Sequence, residues 1–562
     1  MSEDREAPRH PKEVGSLAVE LPGNETLRWP THNGHLMVDA LRRHRDRPII
    51  ELGDVALAGG DVSSRISQYI QAFEDLDAGS SVSGALLALN RPEVLFILGA
   101  GQTQGFRRVS LHPLGSAADH AYVINDAEIT VLVVDPYFAA RAIELLELCP
   151  QLTQVLTIGP VPEELAAAAE ATGRTTADIV ATAAGRQPGE LQAKLLPPDH
   201  IVSLAYTGGT TGRPKGVIGL AQAMNTMTSI QLSEWEWPQE PRFLMCTPLS
   251  HAGAAFFVPV VIKGGTLFVT SRFDPAEVLA TIEEKRINSI MLVPTMLYAL
   301  LDHPDSRTRD LSSLETVYYG ASAINPVRLK EAIERLGPIF AQYYGQSEAP
   351  MAITYFAKGD HVDASGKPVL DRLTSCGRPA ALARAELLDE QGNRVPVGEP
   401  GEICVAGPLV SGGYWGLPEQ TAETWRDGWM RTGDIAREDD DGFWYIVDRT
   451  KDMIVSGGFN VFPREVEDVV AEHPAIAQVS VIGTPHEKFG EAVTAVVVVR
   501  EGHELTDEVV TQIQEMVKER KGSVQAPKQV IGVDALPLTG LGKPDKKALR
   551  ARFWEGHDRT VG

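Results

Sequence analysis

Residues 206–217 read Tyr-Thr-Gly-Gly-Thr-Thr-Gly-Arg-Pro-Lys-Gly-Val, and the reading of the whole chain turns on them. The glycines Gly208, Gly209, Gly212 and Gly216 remove side-chain crowding and permit positive φ, so successive backbone amides can turn toward one point. Thr207, Thr210 and Thr211 add hydroxyl donors, and Lys215 adds a positive charge. Such a cluster suits a polyanion, above all a nucleoside triphosphate. The apolar run 201–205 just before it predicts a strand feeding the loop. A common P-loop is excluded, because Gly-x-x-x-x-Gly-Lys-[Ser/Thr] cannot be laid over these residues. The competing reading, a Gly/Thr-rich surface turn, suits three or four residues better than a stretch of this length with a lysine in place.

The stretch resembles the phosphate-binding loop of the acyl-adenylate-forming, AMP-binding superfamily, which holds acyl-CoA synthetases, adenylation domains of peptide synthetases and luciferases. The rest of the chain supplies further segments of that resemblance in the expected order, from about residue 200 to 545. Pro248-Leu249-Ser250-His251-Ala252-Gly253 resembles the segment lining the acyl pocket and the entry channel of the thiol, which implies His251 as a channel gate. Alone, such a histidine is more often a satisfied structural residue. Gly320-Ala321-Ser322-Ala323 resembles the segment under the adenine and beside the acyl group, although a tight strand-to-helix turn would use the same residues.

Gln342-Tyr343-Tyr344-Gly345-Gln346-Ser347-Glu348 combines aromatic rings, a glycine, a hydroxyl and a carboxylate in one loop. Mg²⁺ is ordinarily held by one or two carboxylates plus phosphate oxygens. The resemblance implies Tyr343 and Tyr344 at the nucleotide, with Tyr344 stacked on adenine. It implies Ser347 on the α-phosphate, Glu348 as metal ligand and Gly345 near the acyl group. Ser347 stands where the family usually has threonine, with the same hydroxyl. In Arg431-Thr432-Gly433-Asp434 the carboxylate of Asp434 would take both ribose hydroxyls, since an ionised aspartate only accepts. Arg449 is implied as a second ribose contact and Lys451 as the hinge of a mobile C-terminal domain. Gly457 and Gly458 would line a narrow thiol tunnel. Lys543, in Leu541-Gly542-Lys543, matches the catalytic lysine that binds both acyl carboxylate and α-phosphate.

At 562 residues the chain exceeds a single core. Its hydrophobic content of 43% and charged content of 23% are those of a soluble globular protein. A net charge of −23 argues against nucleic acid and against an anionic membrane surface as partners. The apolar runs are too short for a bilayer, and residues 1–15 carry no signal-peptide core. Four scattered cysteines, Cys149, Cys246, Cys376 and Cys404, fit neither a disulfide framework nor a zinc site, so a cytoplasmic location is expected.

From residue 35 onward, apolar runs alternate with helical periodicity in the manner of parallel, helix-covered sheets. Residues 160–199, rich in Ala, Glu and Gly, read as a helical excursion plus connector. Residues 385–406 read as short β segments of a small barrel-like section. A new unit of about 110 residues begins near Arg449 with mixed helices and strands. The expected architecture is therefore α/β: a large N-terminal domain, 1–448, of helix-covered sheets plus a barrel-like section, and a small mobile α+β domain, 449–562.

The implied chemistry has two steps. A carboxylate attacks the α-phosphorus of MgATP to give acyl-AMP and pyrophosphate, and the thiol of coenzyme A then displaces AMP. Positioning and electrostatics carry the catalysis, with no enzyme nucleophile. The candidate acyl segment His251–Val258 holds no acid that would bind an amino acid's ammonium. The expected substrate is therefore an apolar acid, fatty or aryl, with free coenzyme A as acceptor. Alternatives are an acyl-AMP ligase loading a carrier protein, or a nucleotide-binding module without catalysis. A homodimer is the default assembly.

Overall fold

The computed structural model describes residues 31–53, 55–76, 83–207, 214–449, 452–456, 459–486, 489–538 and 544–554. Two helix-covered sheets form the large lobe. A seven-stranded sheet runs, edge to edge, through Thr175–Asp178, Gln154–Thr157, Val131–Val134, Ser83–Leu87, Arg107–Ser110, Ile201–Thr207 and Lys215–Leu220. Its pairs are parallel except the last, an antiparallel hairpin. A nine-stranded sheet is parallel through its centre, from Pro48–Leu52 to Phe340–Tyr344, and antiparallel at both edges. Strands Val131–Val134, Thr266–Val269, Ser289–Leu292 and Thr316–Tyr319 are buried throughout, as central parallel strands covered on both faces require.

Helices begin where side chains satisfy the first free amides. Asn325 accepts from Val327 and Arg328 ahead of Pro326–Leu336, and Asp274 accepts from Glu277 ahead of Pro275–Glu284, each helix with proline in its first turn. The two sheets interleave along the sequence. The hairpin Pro48–Leu52/Val55–Ala58 pairs with Thr266–Val269 in the second sheet although it precedes every strand of the first. The expected connector at 160–199 contributes helices Glu163–Ala171 and Ile179–Ala184 and also an edge strand, Thr175–Asp178. One apolar core bridges the sheets, with Leu86, Val131 and Val133 from the first and Phe243, Met245 and Tyr318 from the second.

The barrel-like section is a five-stranded antiparallel sheet of Arg384–Leu388, Gly401–Ala406, Trp425–Arg426, Trp429–Glu438 and Trp444–Arg449. Its last strand runs through Arg449, the residue expected to open the small domain. The later residues build another five-stranded sheet, from Ile454–Ser456 to Gln529–Gly532, with helices Pro463–Ala471 and Asp507–Lys521 packed on it. That unit has its own core, including Val466, Val481, Val497 and Ile513. All four cysteines are buried and unpaired. No helix among the described residues is long and apolar enough to cross a membrane.

Candidate active site

The phosphate-loop hairpin sets the first wall of the site. Its strands pair so that Thr207 lies opposite Lys215, which brings the two ends of the loop together. Gly208, Gly209, Thr210, Thr211 and Gly212 lie outside the described residues. A distant segment, 411–415, laces onto the outgoing strand. Gly412 donates to the Ile218 carbonyl at 2.9 Å, Ile218 returns a bond to Gly413 at 2.9 Å, and Trp415 donates to Gly216 at 2.7 Å. This lacing puts the Tyr414 ring 4.6 Å from the Lys215 ammonium. The Tyr414 hydroxyl donates to Glu348 Oε1 at 2.9 Å, and Ser411 N donates to the Glu348 carbonyl at 2.9 Å. Burial, and then Glu348, push the Tyr414 pKa upward, so it remains a donor. Sequence reasoning missed Tyr414. Its one local signal is the Gly412-Gly413 pair before it, where Gly413 takes φ of +103°.

Strand Phe340–Tyr344 and the loop after it form the second wall. The Tyr344 hydroxyl and the Gln346 side-chain amide both donate to Asp434 Oδ2, each at 2.6 Å. Gln346 also reaches the Thr432 carbonyl at 3.0 Å. Asp434 is 4% exposed, and its backbone amide is held by Thr432 Oγ1 at 3.1 Å. The strand register sets Arg449 directly across from Asp434. Burial and the adjoining Asp434 raise the Tyr344 pKa well above that of a free phenol, which keeps its proton on the oxygen. Ser347 stands between Gln346 and Glu348 in the same loop.

Tyr343, expected beside the nucleotide, points to the opposite face, because neighbouring strand residues alternate. Its ring stacks on Trp235 with centroids 5.2 Å apart. Gly345 is required by crowding, since a Cβ there would fall against the backbone of Met351 and Ala349. Gly320 is required likewise, because its Cβ would lie 2.5 Å from the Tyr343 carbonyl. After it Ala321 adopts φ of +64°, a left-handed conformation unusual for alanine, with Ser322 next in the turn.

His251 closes a third side. Its Nδ1 lies 2.9 Å from Ser250 Oγ, and its ring meets His112 edge-on with centroids 4.8 Å apart. Partial removal of the imidazole from water, then His112 and Arg108, lower its pKa, although part of the residue stays exposed. The Arg108 guanidinium is itself pushed down to about 10 by burial.

The AMP-binding enzyme family model matches residues 38–415, and the model for the AMP-binding enzyme C-terminal domain matches 465–543. The chain belongs to the AMP-binding enzyme family. It is 65% identical to the medium/long-chain-fatty-acid–CoA ligase FadD8 of Mycobacterium tuberculosis, over 99% of this chain and 96% of that one. It is 38% identical to a feruloyl-CoA synthase of Amycolatopsis, over 66% of this chain and 73% of the relative. Among solved structures, the amide bond synthetase McbA of Marinactinospora thermotolerans superposes with a TM-score of 0.81 at 31% identity, covering 93% of this chain and 100% of McbA. The protein is thus an AMP-forming ligase that makes an acyl adenylate from ATP and then a coenzyme A thioester.

This AMP-binding enzyme needs Mg²⁺, and the residues present fit a cation held jointly with substrate phosphates. Among the described residues no three His, Cys, Asp or Glu side chains cluster into a protein-only cage. Glu348 keeps one carboxylate oxygen on Tyr414, and no described residue engages the other. Lys451, Gly457, Gly458 and Lys543 lie outside the described residues, and Arg449 is described in its backbone alone.

Proposed function

We propose that the acid joined to coenzyme A is hydrophobic, a medium- or long-chain fatty acid by analogy with the mycobacterial relative. We place the reaction in the cleft between Lys215–Leu220, the 342–348 loop, residues 411–415 and Asp434. The observation carrying this reading is the convergence of Tyr344 and Gln346 on one oxygen of Asp434, beside the Lys215–Tyr414–Glu348 trio. Two donors fix the Asp434 carboxylate so that it can receive ribose hydroxyls without reorienting, and Arg449 opposite it is the second ribose contact. Tyr344, pinned through its hydroxyl, holds its ring for the adenine, with Ala321 and Ser322 beneath.

Lys215 and the threonines 207, 210 and 211 neutralise and orient the phosphates, and Ser347 bonds the α-phosphate. When bound, Mg²⁺ would offset phosphate charge, with Glu348 as its protein ligand. Lys543 bridges the attacking carboxylate and the α-phosphate. A contact of that kind is worth about 2.7–4 kcal/mol in the transition state.

The large domain spans 1–448. The small domain, 449–562, turns about Lys451 between the half-reactions and brings Gly457 and Gly458 to the thiol path, which His251 gates. Gly320 and Gly345 let backbone segments approach one another closely beside the acyl group. A cytoplasmic location suits the four buried thiols, and a homodimer is the expected assembly.

The test is a reaction of the enzyme with MgATP, a panel of fatty and aryl acids, and either coenzyme A or a phosphopantetheinyl carrier protein, read by mass spectrometry. The reading expects acyl-CoA from fatty acids of medium or long chain. Thioester on the carrier protein alone, or from short polar acids alone, would overturn it.

A further inference from the structure

The helix Ala221–Glu234 leaves the phosphate-loop hairpin directly, and Trp235 caps its end. Thr228, Gln231 and Trp235 recur at helical spacing and share one face. They are 1%, 0% and 4% exposed. Thr228 Oγ1, both amide atoms of Gln231 and the Trp235 indole nitrogen have no hydrogen-bond partner, and neither has the hydroxyl of Tyr343, which stacks on Trp235.

The contrast with their neighbours is sharp. On the same helix Ser229 and Ser233 bond back to carbonyls one turn earlier, at 2.9 and 2.8 Å. Thr228 forgoes that ready partner. Trp237 donates to the Gln231 carbonyl at 2.7 Å, and Tyr318 donates to the Glu236 carbonyl at 2.9 Å. Unpartnered buried polar atoms occur elsewhere among the described residues, Asn225 Oδ1 on the same helix included, but here four neighbouring side chains carry them together. Buried polar groups are nearly always paired, so a row of unpaired ones calls for a partner from outside the chain.

Through Trp235 and Tyr343 the stripe packs on the strand that leads into the proposed reacting centre. Tyr343 immediately precedes Tyr344, whose hydroxyl holds Asp434. Ala252 and Ala254 of the His251 segment pack against the same core as Trp235 and Tyr343. From Thr228 to Trp235 the helix rises about 10 Å, a length that follows an acyl body rather than its carboxylate.

We infer that this stripe is a polar wall of the acyl site, built for a carboxylic acid whose hydrocarbon body carries a neutral hydroxyl or carbonyl oxygen. Threonine and tyrosine hydroxyls and the glutamine amide offer both donors and acceptors, the indole adds a donor, and none of the four side chains is charged. A neutral oxygen fits that set, whereas a second carboxylate or an ammonium would lack a counter-charge. A site with hydrogen-bonding groups in place discriminates strongly against an analogue that leaves them unpaired. The inference rests on the proposed acid-activating role of this cleft and narrows its substrate class.

The test uses the full-length enzyme with MgATP and coenzyme A, and measures AMP release from matched pairs of acids with one carbon skeleton. Each pair has a member bearing a hydroxyl or oxo group and a member without it. One arm is straight-chain and the other ring-bearing, so the two sources of such an oxygen are compared. The oxygenated member of at least one arm is expected to show kcat/KM about 100-fold or more above its partner. Replacing Gln231→Leu together with Thr228→Val, or Tyr343→Phe alone, should cut that ratio about tenfold or more. A wild-type ratio near one in both arms, as when ordered water satisfies the stripe, overturns the inference, as does a ratio unchanged in the variants. Failure of every acid to yield AMP would instead strike the acid-activating role itself.

Discussion

Tyr414→Phe separates two things that Tyr414 does, because it removes the hydroxyl on Glu348 and keeps the ring under Lys215. The lost bond is a phenol donating to a carboxylate at 2.9 Å. Hydrogen bonds to charged groups contribute about 1.5–3 kcal/mol, which corresponds to roughly 10- to 150-fold in rate or binding. Glu348 would then be free to rotate away from the position proposed for holding the metal. We expect acid-dependent ATP–pyrophosphate exchange to fall by about 10- to 150-fold, with the Mg²⁺ concentration for half-maximal rate moved upward. Tyr414→Leu also removes the ring 4.6 Å from the Lys215 ammonium. A cation–π contact contributes about 0.5–2 kcal/mol, so exchange should drop further and KM for ATP should rise. Both proteins must show the wild-type thermal transition for the comparison to count. A Tyr414→Phe enzyme with wild-type exchange and unchanged Mg²⁺ dependence would refute the link between this hydroxyl and the metal ligand.

Two further outcomes follow from the same geometry. In Asp434→Asn the group at this position becomes half donor, facing two donors that now aim at one oxygen; AMP binding by calorimetry should weaken at least about tenfold, and unchanged affinity would contradict the ribose role. The second concerns pH. His361 is 0% exposed, with Nδ1 donating to Ala357 O and Nε2 accepting from Tyr319, both at 2.8 Å, and burial pushes its pKa down to about 4. The folded state therefore binds fewer protons than the unfolded chain between pH 4 and 6.5. Its contribution is fully present above about pH 6.5 and is lost as pH falls toward 4, by at most about 3 kcal/mol. Urea unfolding across that window should show stability falling with pH, with a shallower slope in His361→Gln; identical slopes would contradict it.

Much of the fold was legible because its strands are short, apolar and separated by capped helices. Ser289–Leu292 and Thr316–Tyr319 fall where the apolar runs place them, and Pro275–Glu284 begins at its Asp-Pro signal. The sheet order was not legible, because pairing Ile50 with Leu267 depends on contacts more than two hundred residues apart. The same holds in the site. Tyr344, Glu348 and Asp434 lie in recognisable motifs, whereas Tyr414 meets Glu348 across 66 residues and carries no motif of its own. Strand parity turned Tyr343 toward Trp235 and away from the face on which Tyr344 holds Asp434, a matter of one residue. The Thr228–Gln231–Trp235 stripe looks in sequence like ordinary helix interior. Only its missing hydrogen bonds distinguish it.

The most direct test of the central claim is ATP–pyrophosphate exchange by the wild-type enzyme with a medium-chain fatty acid and no coenzyme A. The account predicts exchange that requires the acid and Mg²⁺, leaves acyl-AMP on the enzyme, and is discharged to acyl-CoA and free AMP when coenzyme A is added. Exchange that proceeds without acid, or acyl-AMP that does not react with coenzyme A, would contradict it.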